Sequence, residues 1–264
     1  MKKIAILLLA ILTFSCSDDD EKGTEEDKGQ WAMIFNETVK SDSNPVDRTE
    51  KFMFDGERLI QHIIKQRYFE EEINNEVNLS YSDNQVTVTT DYLTLVYTLN
   101  SEGYASQCVY SLSSQNRIYQ FSYSAEGYLT GIVENIDDIE YSSTSLTYEN
   151  GDITSISTKM NGLENKFIYE PGEESSTYHL PCLGLLEIHP LTFHIEALYA
   201  GLLGKDPRHF TIRSCPAGSN DEKTVYSYGF DKKGNPSRMI CQTTYAGGQA
   251  SYYPYTRNIS VSFE

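Results

Sequence analysis

The most restrictive feature of this chain is a series of short runs in which an aromatic or aliphatic residue occupies every second position. In one of them, Tyr119, Phe121 and Tyr123 lead into a polar turn that contains Gly127. Strict alternation is typical of a strand with one buried face, and a glycine in the turn is free to adopt positive φ. The sequence therefore predicts successive β-hairpins. The other runs with their turns are residues 52–56, 77–88, 93–103, 146–151, 167–172 and 226–234.

Consecutive hairpins form an antiparallel β-meander, so the predicted fold class is all-β. The 20 tyrosines in 264 residues also favour strands. A long meander tends to curl because closure removes its unpaired edges, but the pattern leaves a curled sheet and a closed barrel both open. Because polar residues alternate with the aromatic ones, we expect an outer face in water, and a membrane-embedded barrel is the alternative. These outward positions are Gln120, Ser122, Thr147, Lys166 and Ser227.

One stretch breaks the alternation: residues 190–204, with the sequence PLTFHIEALYAGLLG. Its apolar residues lie nearly all the way round a 3.6-residue period, which predicts a helix buried on most sides at about 189–204. Pro190 suits a first helical turn, and Gly201 or Gly204 suits its end. We expect this helical insert to pack against the curled sheet or inside it.

The N-terminus predicts export and lipidation. Lys2 and Lys3 precede an apolar run that is too short to span a membrane as a helix, which indicates a signal peptide over residues 1–15. Residues 12–16, LTFSC, resemble the lipobox of bacterial lipoproteins, in which the cysteine is acylated, for example with palmitate. The resemblance implies that Cys16 is the first residue of the mature chain and carries a lipid anchor in the outer membrane.

An acidic tether follows over residues 16–29, where SDDDE leads a run without large apolar side chains. Such a segment is a solvated linker, and the remaining residues 30–264 suffice for a single β-meander domain. An acidic cluster after a lipidated cysteine resembles the surface-export signal of Bacteroidota lipoproteins, which implies that the protein faces the cell exterior; a plain spacer is the alternative. The net charge of -17 disfavours nucleic acid as a partner.

The lipobox, the hairpins, the run LYAGLLGK at residues 198–205 and the hairpin at residues 226–234 together carry a further resemblance. They resemble an uncharacterised Bacteroidota lipoprotein family, domain of unknown function 4595, which is described as having a porin-like β-fold. The family has no established activity and no catalytic residues to transfer. The resemblance therefore implies a fold and a cellular location only.

The four remaining cysteines allow two disulfides in an exported protein. Cys182 and Cys215 bracket the insert, each beside a proline, and we predict that they form a disulfide. Cys108 and Cys241 lie in strand-like runs. For these two the sequence leaves a second bridge and buried thiols both open.

No motif predicts a metal, a cofactor or catalysis. His179, His189, His194 and His209 cluster around the insert, but their spacing matches no zinc motif. The chain has no nucleophile elbow, no glycine-rich phosphate loop and no cysteine-protease box. A glycosidase carboxylate pair has no sequence motif, so an extracellular hydrolase acting on glycans remains the alternative.

Four tyrosines near the C-terminus, beside Gly247, Gly248 and Pro254, suggest where a ligand binds. Tyrosine rings on a loop stack on sugars, although the same residues also suit half-buried hairpin positions. The function predicted from the sequence is non-enzymatic: binding or scaffolding at the cell envelope, with a glycan or an envelope protein as partner. The candidate stacking residues are Tyr245, Tyr252, Tyr253 and Tyr255.

Overall fold

A computed structural model describes residues 29–40, 46–68, 71–112, 115–175, 180, 185–186, 188–219, 221–244 and 255–264. The predicted signal peptide and the lipidation site Cys16 lie outside these residues. Sixteen strands make up almost all of the described structure. They are β1 (Gln30–Lys40), β2 (Val46–Asp55), β3 (Arg58–Tyr68), β4 (Glu71–Ser82), β5 (Gln85–Thr89), β6 (Thr94–Leu99), β7 (Ala105–Leu112), β8 (Gln115–Tyr123), β9 (Leu129–Ile136), β10 (Ile139–Glu149), β11 (Asp152–Met160), β12 (Leu163–Ser175), β13 (His209–Pro216), β14 (Lys223–Phe230), β15 (Pro236–Thr244) and β16 (Tyr255–Phe263).

The strands form one closed antiparallel barrel in which each pairs with its neighbours in the sequence. The last strand closes the barrel on the first, in a register that runs from Met33 opposite Phe263 to Lys40 opposite Thr256. The predicted all-β meander is confirmed, and of the two alternatives the sheet is a closed barrel. All strands of the described residues lie within 30–264, so this part of the chain contains the strands that close the sheet.

The two ends of the barrel differ. We call the end with the β2–β3, β6–β7, β8–β9, β10–β11 and β14–β15 turns the closed end, and the opposite end, where β9 meets β10 and β11 meets β12, the open end. The closed-end turns use the predicted glycines at positive φ. These are Gly56, Gly103, Gly127, Gly151 and Gly234.

Three closed-end turns repeat one hydrogen-bonding device. The Asn100 side-chain oxygen accepts the backbone N–H groups of Glu102 at 2.9 Å and Tyr104 at 3.0 Å. Ser124 and Asp231 each accept two equivalent bonds in their own turns. In each turn a short polar side chain accepts hydrogen bonds from the N–H groups two and four residues later, which fixes the conformation of the turn. The turn conformation then sets the register of the two strands it connects.

The wall of the barrel alternates as the sequence predicts. In β5 the burial pattern is exposed, buried, intermediate, buried, exposed, with Val86 and Val88 facing the lumen. The five polar positions predicted to face outward are all exposed in the structure: Gln120, Ser122, Thr147, Lys166 and Ser227. In the described part of the chain, no helix is both long and apolar enough to cross a membrane.

The connection between β12 and β13 provides the insert that fills the barrel, and its described residues are 180, 185–186 and 188–208. Its helical residues lie where the sequence predicts a helix, but the predicted length, about 189–204, is too great. The structure has a 3-10 turn at Leu191–Phe193 and an α-helix at Ile195–Tyr199. His194, at φ −124°, separates the two. Apolar residues occupy most positions of the insert because the barrel surrounds it on all sides. The sequence pattern therefore indicates burial and not one continuous helix.

The end of the insert docks on the closed-end turns through its backbone. The Ala105 N–H donates to Leu202 O at 2.7 Å, and the Lys205 N–H donates to Gly127 O at 2.9 Å. Gly204 has a φ of +89°, and a Cβ there would lie 2.6 Å from Gly127 O. Only glycine satisfies both the backbone conformation and this close approach.

We expect Gly204→Ala to lower the free energy of unfolding by about 2 kcal/mol or more, because alanine meets both the left-handed φ and the Gly127 carbonyl. Gly103→Ala is the matched control: its φ is +84°, but nothing lies within 4 Å of an added Cβ. The control should lose only about 1 kcal/mol. Urea denaturation of both variants measures this difference, and equal losses would contradict the docking.

Candidate functional site

Above the apolar core, on the open side of the insert, the lumen holds charged side chains from several strands. They fall into two clusters, each of which ties one part of the insert to the barrel wall. We call them the Glu196 clamp, on β2 and β3, and the His189 clamp, on β8, β9 and β10.

The Glu196 clamp is centred on His62, whose side chain is fully buried. Nδ1 of His62 lies 2.8 Å from Glu196 of the insert, and Nε2 lies 3.1 Å from Glu50, which also pairs with Arg48. Burial by itself would lower the pKa of His62, but the hydrogen bonds and charges of Glu196 and Glu50 raise it above 6.5. The His62 ring therefore bridges two carboxylates, which favour its protonated form and offset the cost of its burial.

Glu50 responds in the opposite sense. Burial by itself would raise the pKa of Glu50, but the hydrogen bond from His62 and the charge of Arg48 lower it below 4.5. A neighbouring pair, Glu37 with Arg257, joins β1 to β16 through two hydrogen bonds across the closure of the barrel. The carboxylates on this side of the lumen therefore each have a cationic partner.

The His189 clamp is centred on Glu134, whose side chain is also fully buried. It accepts hydrogen bonds from His189 of the insert at 2.6 Å and from Ser142 at 2.7 Å, and it pairs with Arg117 at 3.2 Å. Burial by itself would raise the pKa of Glu134, but the bonds from His189 and Ser142 and the charge of Arg117 lower it below 4.5. Arg117 also lies over the Tyr110 and Tyr141 rings, at 5.7 and 6.0 Å.

Serine, histidine and glutamate in contact suggest a hydrolytic triad, but the geometry differs from one. Ser142 Oγ, at 3.2 Å, and Glu134, at 2.6 Å, both meet the same nitrogen, Nε2 of His189. A triad needs the carboxylate on one ring nitrogen and the nucleophile on the other. Here the Ser142 hydroxyl donates to Glu134. The serine is therefore a ligand of the carboxylate and not an activated nucleophile.

A second histidine of the insert, His194, lies deeper and is neutral. Tyr97 Oη is 2.8 Å from its Nδ1, and the Tyr119 ring meets it edge to face with centroids 4.4 Å apart. Complete burial lowers the pKa of His194 from 6.5 to about 3. It therefore carries no charge at physiological pH and packs as part of the core.

The lumen beside the His189 clamp contains a cavity of about 280 Å³, which we call the inner cavity. Its chemistry is mostly neutral, with hydroxyl, amide and aromatic groups and the His189 ring at one side. The lining residues are Ile156, Thr158, Met160, Asn165, Phe167, Tyr169, Ile188, His189, Ser214, Thr224 and Tyr226.

Two further hollows lie at the open end. The first, of about 600 Å³, is formed where the β9–β10 and β11–β12 turns meet, and we call it the rim hollow. Its lining includes Tyr141, Lys159 and Met160. The second, of about 250 Å³, lies across the insert beside Phe193 and Glu196. The inner cavity and this second hollow therefore flank the insert.

The structure describes only some of the residues that the sequence singles out. Tyr245, Tyr252, Tyr253, His179 and Cys182 lie outside the described residues, and of Tyr255 only the backbone, at the start of β16, is described. Cys215 is half-buried, and because Cys182 lies outside the described residues, the predicted disulfide between them stays a prediction. Cys108 and Cys241 are both buried, and burial raises the pKa of Cys108 to about 12.

No metal site was predicted, and among the described residues no three His, Cys, Asp or Glu side chains are placed to hold a metal ion.

Sequence reasoning missed both clamps. One signal was available: Glu134 alternates with Ile132 and Ile136 in a strand, so it occupies a lumen-facing position. A carboxylate at such a position needs a buried partner.

Comparison with known proteins supports the fold. The family model described as "Domain of unknown function (DUF4595) with porin-like fold" matches residues 52–238. A crystal structure of a porin-like protein from Bacteroides uniformis superposes with a TM-score of 0.79 at 26% identity, covering 88% of this chain and 96% of that chain. A second porin-like protein, from Bacteroides vulgatus, has a TM-score of 0.53 at 13% identity over 86% and 96% of the two chains. No curated protein matches.

The pKa shifts in the clamps predict how stability depends on pH. Because the folded-state pKa of His62 is raised, its contribution is complete below about pH 6.5 and is lost as pH rises through that raised pKa. The pKa values of Glu50 and Glu134 are lowered, so their contribution is present above 4.5 and is lost as pH falls through the lowered values.

Urea denaturation of residues 30–264 across this pH range should therefore show a decline on each side of a maximum. His62→Gln should abolish the decline on the alkaline side, and Glu196→Gln should reduce it. An unchanged alkaline decline in His62→Gln would mean that another group causes it.

Proposed function

Since this chain belongs to the family described as a domain of unknown function (DUF4595) with porin-like fold, we propose that it is a surface-anchored outer-membrane lipoprotein that binds a glycan at the open end of its barrel. The observation that carries the proposal is the chemistry of the inner cavity. The cavity combines aromatic faces with neutral hydrogen-bonding groups, whereas the charged side chains of the clamps pair with one another.

A sugar ring has an apolar face and a rim of hydroxyls, and the inner cavity supplies a match for both. Phe167 and Tyr169 offer aromatic surface on β12. Thr158, Thr224 and Asn165 offer hydroxyl and amide groups around it. Pockets of this kind, mostly apolar with a few placed polar groups, are typical of small-molecule binding sites.

Binding is favoured over hydrolysis by the state of the carboxylates. A glycosidase needs one carboxyl group whose pKa is raised so that it can act as the acid. The pKa values of Glu50 and Glu134 are instead lowered by their cationic and hydrogen-bonding partners. Both carboxylates are therefore suited to binding cationic partners and not to donating a proton. For this reason the extracellular hydrolase is only the second candidate.

The proposed location rests on the N-terminal sequence and on the outer face of the barrel. The LTFSC lipobox and the acidic tether favour a lipid anchor on an exported protein. The exposure of Gln120, Lys166 and Ser227 favours a barrel held outside the bilayer by that anchor. We also propose that four tyrosines stack on the glycan, because they follow β15 or begin β16 in the sequence, and these two strands meet at the open end. They are Tyr245, Tyr252, Tyr253 and Tyr255.

Residues 30–264, expressed without the anchor, should purify without detergent and retain at least one member of a panel of bacterial, plant and host polysaccharides. Phe167→Ala should weaken the retained interaction about tenfold, because it removes an aromatic face from the inner cavity. Ile168→Ala, the next residue on the outer face, is the matched control and should bind like the parent. Thermal unfolding of both variants separates a binding defect from a folding defect.

Release of shorter products from the panel would replace the binding proposal with the hydrolase. If no polysaccharide is retained, the glycan proposal fails and an envelope protein becomes the leading partner.

The anchor has its own test. Cys16→Ser in the full chain should abolish incorporation of radiolabelled palmitate and move the protein out of the outer-membrane fraction. Cys108→Ser, which changes a free cysteine of the barrel wall, should leave both unchanged. Retention of Cys16→Ser in the membrane fraction would contradict the lipid anchor.

A further inference from the structure

The inner cavity and the rim hollow are adjacent compartments of one site. Met160, the last residue of β11, lines both of them. Tyr141 of the rim hollow also meets His189 of the inner cavity, with ring centroids 6.2 Å apart. A ligand that fills the inner cavity and extends past Met160 therefore enters the rim hollow.

The inner cavity is a dead end for such a ligand. Its deep lining, Ile156, Tyr169 and Tyr226, is buried, and Ile188 and His189 of the insert close one side. The wall beside it consists of the hydrogen-bonded strands β11, β12, β13 and β14. Toward the open end the lining becomes exposed at Asn165. Within the described residues, the way in is therefore from the open end, past the exposed Asn165 and the partly exposed Met160 and Thr224.

The sizes of the two compartments set what each accepts. The inner cavity, at about 280 Å³, is close to the lower limit of roughly 300 Å³ for small-molecule sites, which suits one ring-sized unit. The rim hollow is larger, at about 600 Å³, and its lining combines polar and apolar side chains. The polar ones are Asp137, Glu140, Lys159 and Asn161, and the apolar or aromatic ones are Ile136, Ile139, Tyr141 and Met160. It suits further hydrophilic units of the same molecule.

From this geometry we infer that the ligand is a linear oligosaccharide or polysaccharide recognised by its end: the terminal sugar occupies the inner cavity and the following units lie in the rim hollow. This inference rests on the proposed glycan-binding function and specifies its mode. An internal segment of a polymer does not fit, because a chain that enters a dead end cannot continue out of it.

The first test compares a polysaccharide retained in the panel with oligosaccharides of two to six units prepared from it by partial acid hydrolysis. Hydrolysis multiplies chain ends at constant mass, so the hydrolysate should compete much more strongly per unit mass than the intact polymer. Affinity should also rise with the first few units and then level off as the rim hollow fills. Equal competition per unit mass would overturn end recognition while leaving glycan binding intact.

The second test narrows the passage between the compartments. Met160→Trp places a larger side chain between them and should weaken binding of the oligosaccharides about tenfold or more. Leu163→Trp is the matched control, since Leu163 lies opposite Met160 in the same hairpin, is 72% exposed and lines neither compartment.

Circular dichroism and thermal unfolding confirm that each variant is folded. Parent-like binding by a folded Met160→Trp variant would overturn the inference. If the panel retains no polysaccharide, the proposed function and this inference fail together, which is distinguishable from the loss of end recognition alone.

Discussion

The structure depends on one geometric constraint: a closed sheet of sixteen strands encloses more space than its own side chains fill. Eight-stranded barrels are about the size at which wall side chains suffice, and barrels of about sixteen strands otherwise leave a channel. Here the insert occupies that space. Its helix brings Tyr199 against Phe35 and Phe52, at centroid distances of 5.9 and 4.0 Å, so inward aromatics that would otherwise face water are buried.

The insert contacts the barrel wall through two polar side chains as well as through apolar ones, and the polar contacts define the candidate site. Glu196 and His189 each meet a charged partner on the wall, His62 and Glu134 respectively. Buried charges of this kind are tolerated only when paired, so the clamps fix the position of the insert more than they add stability. The cavities lie beside the residues that form these contacts, with His189 lining one and Glu196 lining the other.

The sequence predicted the fold well because its information was local. Alternation at Tyr119, Phe121 and Tyr123, with a glycine turn after it, defines one hairpin without knowledge of the rest. The closed barrel followed only from the structure, since closure pairs β1 with β16 across nearly the whole chain. The lumen-facing position of Glu134 indicated a buried carboxylate, but the partners within the clamps could not be predicted. His62 and Glu196, for example, are 134 positions apart and neither belongs to a motif. The extent of the helix was overestimated, since burial on all sides mimics helical periodicity.

The central claim is that the insert is a fixed plug of the barrel, and native-state hydrogen exchange tests it most directly. The Thr192, His194 and Leu198 N–H groups donate to backbone oxygens within the insert. If the insert is fixed, these amides should be protected to the same degree as those of the neighbouring strands β3 and β9. Exchange within seconds at these positions, with the strands still protected, would show that the insert leaves the lumen readily and would contradict the account.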